Sequence, residues 1–259
     1  MEKECIIKSS KINSCHGFST RLGGVSEGIF ASLNLGMNRG DDENLVTKNW
    51  HIFLEAAGID IKEFVCGKQI HSNIVHVAGA EDMRPAYGPG ELIEADGYVT
   101  NEKNVPLAIF VADCIPLLLE DTEHGVIGAV HCGWRGTVAD IEGNAIKKMI
   151  ELGANSDNIV AAIGPAIEQC CFEVGGEVIE EAKKLLGYDI GHLYTSSIKN
   201  SDKYMLDLKG VLKERLLQLG LRENNIDMVG GCTMCQPDKY YSHRYTNGAR
   251  GSLACVIMQ

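Results

Sequence analysis

Two apolar runs near the middle of the chain organise the rest of the pattern. Residues 107–111 and 126–130 are almost continuously apolar, which is typical of strands buried on both faces of a sheet. Cys114 follows the first run and His131 follows the second. Because open α/β sheets keep their ligand sites at strand ends, the pattern predicts a functional site that includes this thiol and this imidazole.

Helices and further strands alternate around this centre. Predicted helices lie at 42–57, 137–152, 175–186 and 208–219. Asp41 or Asp42 would cap the first helix, and Gly58 would end it. Predicted strands, besides the two central runs, lie at 4–8, 14–19, 63–66, 73–77, 96–100, 159–163 and 252–258. The alternation predicts a single α/β domain over residues 1–259, with a mixed β-sheet flanked by helices.

A long polar segment at residues 20–40 interrupts this alternation. It is rich in Gly, Ser and Asn, and loops of about twenty residues inside a compact domain are often functional. Apolar residues between 29 and 35 predict that the loop packs against the core. Arg21, Asn34 and Asp41 are its candidate polar contacts.

The charge of the chain and the lengths of its apolar runs indicate which kinds of partner it can bind. The chain has 24 Lys and Arg against 35 Asp and Glu, a formal net charge of −11, whereas nucleic acids and anionic membranes attract a basic face. No apolar run approaches the roughly 20 residues of a membrane span, and residues 1–10 lack an apolar segment of signal-peptide length. We therefore expect a cytoplasmic protein without nucleic-acid or membrane partners, whose ten cysteines are mostly reduced.

Cys114 and His131 allow two kinds of chemistry. On neighbouring strand ends they are donors that zinc prefers, and a catalytic zinc site needs a third protein ligand and an open position. His71, in a glycine-flanked polar turn after a predicted strand, is the best third candidate. Without a metal, the same pair is a cysteine nucleophile with a histidine base, whose imidazole Asp113 or Asp96 would orient.

The remaining cysteines give weaker signals. Cys232-x-x-Cys235 has the form of a redox or zinc motif, but neither a second C-x-x-C nor a thioredoxin-like βαβ setting accompanies it. Nothing in the sequence distinguishes Cys170-Cys171 from cysteines that are simply packed in the core. The zinc signatures H-E-x-x-H and H-x-E followed by P-C-x-x-C are absent.

A phosphate-bearing substrate would need arginines and backbone amides, because the chain has neither a Walker A motif nor a G-x-G-x-x-G fingerprint. Arg135 is the leading anion ligand, since it lies in the glycine-flanked turn directly after His131. Arg21, Arg244 and Arg250 are the alternatives, and all three lie in glycine-bearing loops.

A series of ordered blocks runs through nearly the whole chain. The blocks are Thr20-Arg21-x-Gly23-Gly24-Val25-Ser26, Ser32-Leu33-Asn34-Leu35-Gly36 with Asp41-Asp42, Gln69-x-His71, Ala95-Asp96-Gly97, Ala112-Asp113-Cys114-x-Pro116, His131-x-Gly133-Trp134-Arg135-Gly136, Ile163-Gly164-Pro165 with Cys171-Phe172-Glu173-Val174, and Ser242-x-Arg244. In these blocks the chain resembles the YfiH-like proteins, also called the laccase-domain or multicopper polyphenol oxidase family.

The resemblance implies a fold, a metal and an activity. The implied fold is a zinc-binding, single-domain α/β fold similar to that of a toxin deamidase with a Cys/His centre. The implied metal ligands are His71, Cys114 and His131. The implied activities are phosphorolysis of adenosine, inosine and methylthioadenosine, and deamination of adenosine. Copper-dependent polyphenol oxidation and peptidoglycan editing are further activities linked to the family.

Two regions depart from the family pattern. Cys132 stands where relatives often have Ala, and in strand phase its side chain points away from that of the preceding histidine. Near the end of the chain, His243 and Tyr245 flank Arg244 where an Arg-Arg pair is common. This difference weakens the transfer of roles to Arg244 and Arg250.

The main hypothesis is a zinc-dependent purine nucleoside phosphorylase with adenosine deaminase activity. Its predicted catalytic residues are Cys114, His131 and Asp113, and its predicted substrate contacts are Arg21, Asn34, Arg135 and Arg244. The candidate general acids or bases for deamination are Asp113, Asp96 and Glu173.

The alternatives are a Cys114/His131 hydrolase of an amide-like bond, as in peptidoglycan precursor editing, and a metal-carrying module without activity. Copper-dependent oxidation is disfavoured, because a multicopper centre requires many histidine ligands. The chain has eight histidines and no H-x-H pair.

Overall fold

The computed structural model describes residues 4–89 and 91–259. Its strands are β1 (Ile6–Ile7), β2 (Cys15–Ser19), β3 (Val75–Val77), β4 (Gly97–Thr100), β5 (Leu107–Val111), β6 (Ile115–Asp121), β7 (Val126–Cys132), β8 (Val160–Ile163), β9 (Glu173–Gly175), β10 (Tyr194–Ser196), β11 (Lys203–Leu206), β12 (Ile226–Met228) and β13 (Leu253–Met258). Its α-helices are α1 (Glu43–Ala57), α2 (Trp134–Val138), α3 (Ile141–Glu151), α4 (Gly176–Leu186), α5 (Leu208–Gln218) and α6 (His243–Thr246). The predicted α/β class, with a mixed sheet flanked by helices, is confirmed.

The core consists of two stacked sheets with helices on both outer sides. A mixed sheet of order β12-β8-β6-β7-β4-β3 faces an antiparallel sheet of order β1-β2-β13-β5. In β6, Leu117 and Leu119 pack under α3, α4 and α5, whereas Leu118 packs between the sheets. Trp50 and Phe53 of α1 cover the outer face of the antiparallel sheet. Burial on both faces explains why the central strands are almost wholly apolar.

The two central apolar runs belong to different sheets, which corrects the expectation of neighbouring strands. β5 pairs with β13, whereas β7 pairs with β6, a strand absent from the sequence prediction. A turn at residues 112–114 carries the chain from one sheet to the other, with Asp113 in the left-handed region at φ 85°. Cys114 therefore lies at the start of β6, beside the end of β7.

Three other segments differ from the predicted elements. The predicted helix 137–152 is divided into α2 and α3, because Asp140 adopts a left-handed φ of 64° between them. Residues 63–66 form isolated bridges rather than a strand. A third sheet of order β10-β11-β9 occupies a polar stretch for which the sequence predicts no strand.

The predicted helix 42–57 is confirmed as α1, with both of its predicted ends. The Asp42 side chain accepts a hydrogen bond from Asn44 N, and Gly58 ends the helix at φ 90°. None of the helices in the described part of the chain combines the length and the apolar character needed to cross a membrane.

Glu142, in the first turn of α3, is a buried carboxyl group. Its side chain is fully covered, and neither carboxyl oxygen has a hydrogen-bond partner among the described residues. Burial raises the pKa of Glu142 from 4.5 to about 8. Between these values the folded chain holds a proton that the unfolded chain releases. The contribution of Glu142 to stability is therefore full in acid and is lost as the pH rises through 8.

Replacing Glu142 by glutamine should remove this pH dependence. Between about pH 5 and pH 9, we expect the wild type to lose on the order of 4 kcal/mol more unfolding free energy than Glu142→Gln, measured by urea denaturation. Exposed Glu177 occupies the same position in α4, so Glu177→Gln is the matched control and should follow the wild type. Equal slopes for wild type and Glu142→Gln would contradict the prediction.

Candidate metal centre and anion cleft

Three metal donors converge at one point. Donor atoms of His71, Cys114 and His131 all lie within 4.8 Å of one another, and the two imidazole rings meet edge to face with centroids 4.9 Å apart. Gly133 leaves the space for them. A Cβ at Gly133 would lie 3.2 Å from His71 Cδ2, 3.3 Å from Cys114 Sγ and 3.4 Å from His131 Cε1. The fold thus brings together the three residues singled out in the sequence.

Strand pairing brings Cys114 and His131 together. β6 and β7 run antiparallel, with Ile115 opposite Cys132 and Pro116 opposite His131. Cys114 directly precedes β6, so its side chain meets that of His131 across the strand pair. Cys132 is fully buried in the cluster under the helices, as alternation along a strand requires.

The loop that carries His71 is held by Asp96. The Asp96 carboxylate accepts hydrogen bonds from three consecutive backbone N–H groups, those of Ile70, His71 and Ser72, at 2.8 to 3.1 Å. The Ser72 hydroxyl donates to it as well, at 2.8 Å. His71 has a left-handed φ of 58°, which points successive N–H groups at one anion. On the other side, Gln69 exchanges two hydrogen bonds of 2.8 and 2.7 Å with the backbone of β5.

Asp96 also orients His131. Asp96 Oδ1 lies 2.8 Å from His131 Nδ1, and both side chains are buried. Burial alone would raise the pKa of Asp96, but hydrogen bonds from His131 and Ser72 hold it at about 2. This contact leaves His131 Nε2 free to face Cys114 or a metal ion. Of the two carboxylates expected to orient the imidazole, the structure places Asp96 in that position.

Cys114 and His131 form a strongly interacting pair. Burial disfavours the thiolate, but the imidazoles of His131 and His71 hold the pKa of Cys114 well below its usual value. Burial also disfavours the imidazolium, yet Cys114 and Asp96 hold the pKa of His131 above its usual value. The thiolate is thereby favoured at neutral pH, and it is the form that binds metals or acts as a nucleophile.

The donor set fits a single transition-metal ion. Two imidazole nitrogens and one thiolate leave a fourth position open, as in catalytic zinc sites. His131 is buried and His71 is exposed, so the cluster opens towards solvent on the His71 side. Asp96 provides the carboxylate that metal sites place behind a ligating histidine. Both zinc and copper accept these donors.

A cleft of about 780 Å³ opens over the metal donors. Its described lining includes six further groups that are or can become cationic: Arg39, Lys68, Arg135, His243, Arg244 and Arg250. Asp113 is the one carboxylate among the described lining residues. Lys68 pairs with Glu94 at 2.7 Å, but the remaining cations still outnumber Asp113. In a chain with a net charge of −11, this local excess of positive charge favours an anionic ligand.

The cations at one corner of the cleft crowd one another. Burial and the nearby Arg39 lower the pKa of Arg250 to about 10. Burial and the charge of Arg250 also lower the pKa of His243. The buried Nε of Arg250 has no acceptor among the described residues. An anion at this corner would neutralise the repulsion and accept this hydrogen bond.

Arg135 and Arg244, both predicted substrate contacts, line the cleft. The Arg135 guanidinium stacks on the Trp134 ring at 4.4 Å from its centroid. Arg244 lies over the Phe172 ring at 5.8 Å and donates from Nη1 to the Glu173 carbonyl at 3.2 Å. Among the described residues, Arg215 and Arg222 form ion pairs with carboxylates, whereas no such pair is found for Arg135 or Arg244.

Asp113 and Glu173, two candidate general acids or bases, hold loops in place. Asp113 accepts from the Thr233 hydroxyl at 2.6 Å and from Arg244 N at 2.7 Å. Glu173 accepts from the Ser197 hydroxyl at 2.6 Å and lines a second cavity of about 530 Å³, which shares Arg244 with the cleft. Their roles in proton transfer remain predictions.

Arg21 and Asn34 lie outside the described lining of the cleft. The Arg21 guanidinium donates to backbone carbonyls at 2.7 to 2.9 Å. Asn34 is buried, and its Oδ1 accepts from the N–H groups of Gly36 and Ser252 at 2.9 Å each. Gly36 and Ser252 both line the cleft. Asn34 therefore positions two residues of the cleft wall, whereas the substrate contacts predicted for Arg21 and Asn34 remain predictions.

Arg39 and Lys68 line the cleft but were not identified in the sequence, and His243 was noted there only as a departure from the family pattern. Arg39 lies in the glycine-rich loop 20–40, and Lys68 directly precedes the Gln69-x-His71 block. Their positions in this loop and next to this block are the sequence features that could have indicated a role in the cleft. No local pattern joins them to Arg250, because their approach depends on the packing of separate segments.

Comparison with known proteins finds relatives over almost the whole chain. A family model described as multi-copper polyphenol oxidoreductase laccase matches residues 15–259. Purine nucleoside phosphorylase YlmD of Bacillus subtilis (strain 168) is 34% identical over 250 residues, which cover 93% of this chain and 87% of that protein. A purine nucleoside phosphorylase of Bacteroides thetaiotaomicron is 33% identical over 255 residues, covering 96% and 93%. The crystal structure of YlmD from Geobacillus stearothermophilus is similar with a TM-score of 0.89 and 27% identity, covering 99% of each chain.

Proposed function

The chain belongs to the family described as multi-copper polyphenol oxidoreductase laccase, and we propose that it is a zinc-dependent purine nucleoside phosphorylase. In the proposed reaction, a phosphate oxygen bonds to C1′ of adenosine, inosine or methylthioadenosine as the bond from C1′ to the purine breaks. The products are the free base and the corresponding sugar 1-phosphate. The relatives named purine nucleoside phosphorylase support this substrate class.

The cationic cleft above His71, Cys114 and His131 is the observation that carries the proposal. Its volume of about 780 Å³ lies within the range of small-molecule sites. Phosphorolysis needs an anion and a nucleoside side by side. The cleft offers, next to a donor cluster, arginines for which the described residues show no ion pair with a carboxylate. In an acidic chain, such a cleft is better suited to phosphate than to an uncharged substrate alone.

The arginines have a defined task in this reaction. Arg39, Arg135 and Arg250 would bind the phosphate dianion and direct one oxygen at C1′. As the glycosidic bond lengthens, the sugar becomes cationic, and the adjacent phosphate stabilises that charge. Asn34 and Asp113 act on this step indirectly, because their hydrogen bonds hold residues of the cleft wall.

His71, Cys114 and His131 would hold the zinc ion, with Asp96 orienting His131 and the His71 loop. Bound zinc supplies a Lewis acid at the floor of the cleft. We propose adenosine deamination as a second activity of the same site, supported by the family resemblance and by this donor set. It would release inosine and ammonia from adenosine and water.

The Cys114–His131 pair supports one other candidate function. A cysteine thiolate favoured by an adjacent imidazole is the arrangement of a nucleophilic hydrolase, which would cleave an amide-like bond without metal. Metal removal distinguishes the two mechanisms. Chelation should abolish a zinc-dependent reaction, whereas it should leave a cysteine hydrolase active.

The proposed function is tested by incubating the purified chain with adenosine, inosine or methylthioadenosine, with and without inorganic phosphate. We expect the free base and sugar 1-phosphate in chromatography when phosphate is present, and neither product when it is omitted. Inosine formed from adenosine without phosphate would indicate the deaminase activity. Failure to release base from all three nucleosides in the presence of phosphate and zinc would reject the phosphorylase assignment.

The same assay tests Arg135 as a phosphate ligand. In Arg135→Gln we expect the KM for phosphate to rise roughly 10- to 100-fold, because a hydrogen bond to a charged group is lost, while the KM for the nucleoside stays close to that of the wild type. Exposed Arg222, which lies 3.4 Å from Asp157 and outside the cleft, provides the control Arg222→Gln. A raised KM for the nucleoside with an unchanged KM for phosphate would assign Arg135 to the nucleoside instead.

A further inference from the structure

Four cysteines form a second cluster at the surface. The Sγ atoms of Cys170, Cys171, Cys232 and Cys235 all lie within 4.8 Å of one another. Cys235 Sγ is 3.5 Å from Cys170 Sγ and 3.4 Å from Cys171 Sγ. None of the four forms a disulfide, and their exposure ranges from buried Cys232 to exposed Cys170 and Cys235. The cluster is separate from His71, Cys114 and His131, and the proposed reaction does not use it.

The spacing of the sulfurs matches a tetrahedral tetrathiolate site. With Zn–S bonds of about 2.3 Å, the edges of the tetrahedron measure roughly 3.8 Å. The separations of Cys235 Sγ from its two neighbours, 3.4 and 3.5 Å, lie close to this edge, and none of the separations exceeds 4.8 Å. Four thiolates around one tetrahedral ion are the donor set of structural zinc sites.

The backbone around the cluster is already organised. Cys171 N donates to Glu168 O at 2.9 Å, which forms the tight turn that carries the adjacent Cys170. Cys232 forms an isolated parallel bridge with Ala166. Thr233 N donates to Ala166 O at 3.0 Å, and Gln236 N donates to Cys232 O at 3.2 Å. Backbone hydrogen bonds therefore fix the turns that carry Cys170 and Cys232.

Core packing, a disulfide and an iron–sulfur cluster account less well for these four thiols. Packing alone explains buried cysteines, but Cys170 and Cys235 are exposed. A single disulfide would use two of the thiols and would not explain why the other two lie beside them. An iron–sulfur cluster of several irons would hold its cysteine sulfurs farther apart than one ion does.

We propose that Cys170, Cys171, Cys232 and Cys235 bind one structural zinc ion. The ion would link the turn between β8 and β9 to the segment that follows β12. Both segments build the wall of the cleft: Phe172 lines it, and Thr233 donates to Asp113 at 2.6 Å, next to Cys114. The second zinc thus anchors the wall that faces the first metal site.

Metal analysis of the full-length chain tests this proposal independently of any enzymatic activity. After purification in reductant, we expect about two zinc ions per wild-type chain and about one in the double variant Cys232→Ser/Cys235→Ser. The variant His71→Ala should also retain about one ion. Cys15, in β2 and outside both clusters, gives the control Cys15→Ser, which should keep both.

Cobalt(II) binding distinguishes the two sites by their ligands. This test does not depend on whether a cysteine variant folds. Metal-free wild type and metal-free His71→Ala, both titrated with cobalt(II), should develop the strong sulfur-to-cobalt absorption of a tetrathiolate site. Where Cys232→Ser/Cys235→Ser folds, that absorption should be reduced to the contribution of Cys114. Thermal unfolding of this double variant should begin at a lower temperature than that of Cys15→Ser.

Several outcomes would overturn the proposal. Equal zinc contents in wild type and Cys232→Ser/Cys235→Ser would do so, as would His71→Ala without zinc and without a cobalt–thiolate band. Iron in place of zinc would reject the assigned ion. A disulfide within the cluster in freshly reduced wild type, detected by thiol counting, would reject the tetrathiolate site.

Discussion

Loss of either Cys114 or His71 is expected to reduce phosphorolysis by at least about 10³-fold in kcat/KM, because each supplies one of the three donors that would hold the metal. Cys114→Ser and His71→Ala should also lose about one equivalent of bound zinc. The two measurements belong together, since a loss of activity without a loss of metal would have another cause. Steady-state kinetics with phosphate and inosine, and elemental analysis of the same preparations, check the prediction.

His76→Gln is the matched control for His71→Ala. His76 lies five residues further along, on β3, and its imidazole contacts Asp82 at 2.8 Å rather than the donor cluster. The control should keep both activity and zinc. The mechanism without metal predicts a different result: His71→Ala would remain active while Cys114→Ser would not. That pattern, with full activity after chelation, would assign Cys114 as a nucleophile.

Asp96→Asn is expected to have the second largest effect. One carboxylate accepts from three consecutive backbone N–H groups, from the Ser72 hydroxyl and from His131 Nδ1, and an amide would turn an NH₂ group towards some of these donors. We expect zinc affinity to fall about 10- to 100-fold and the unfolding free energy to fall by about 3 to 5 kcal/mol. Competition with a chelating dye and urea denaturation measure the two effects.

Excess zinc separates a positioning role from a general loss of structure. If Asp96 acts by orienting the donors, saturating zinc should restore much of the kcat of Asp96→Asn while leaving its stability low. Asp82→Asn is the control, because Asp82 also pairs with a histidine and with a backbone N–H at Gly79 but lies outside the cleft. Reduced stability of Asp96→Asn with unchanged zinc affinity would show that Asp96 serves the fold alone.

The local sequence pattern was sufficient to predict those elements whose ends are set by neighbouring residues. α1 was predictable at both ends, because its apolar spacing, the Asp42 cap and the left-handed Gly58 are all properties of neighbouring residues. The division between α2 and α3 was not, since a left-handed Asp140 interrupts a sequence that is otherwise suited to one helix. Asp140 accepts from the distant Arg215 at 2.8 and 2.6 Å, a contact that no local pattern contains.

The candidate site divides in the same way. His71, Cys114 and His131 were recognisable by residue type, by their positions after apolar runs and by the family resemblance. Their convergence depends on the pairing of β6 with β7 and on the Asp96 contacts. The cleft cations Arg39, Arg135 and Arg250 come from separate segments, and their mutual approach had no signal in the sequence.

By itself, the sequence determined the α/β class, the apolar strands β5 and β7, the acidic charge of the chain and the residue types of the candidate metal donors. These features follow from composition and from contacts between near neighbours. The tertiary structure decided which of those side chains meet: it put β5 and β6 in different sheets and brought Cys170-Cys171 beside Cys232 and Cys235. These contacts join segments that are far apart in the sequence. They depend on how strands and loops pack in three dimensions, and the free energy of that packing cannot be attributed to any single segment.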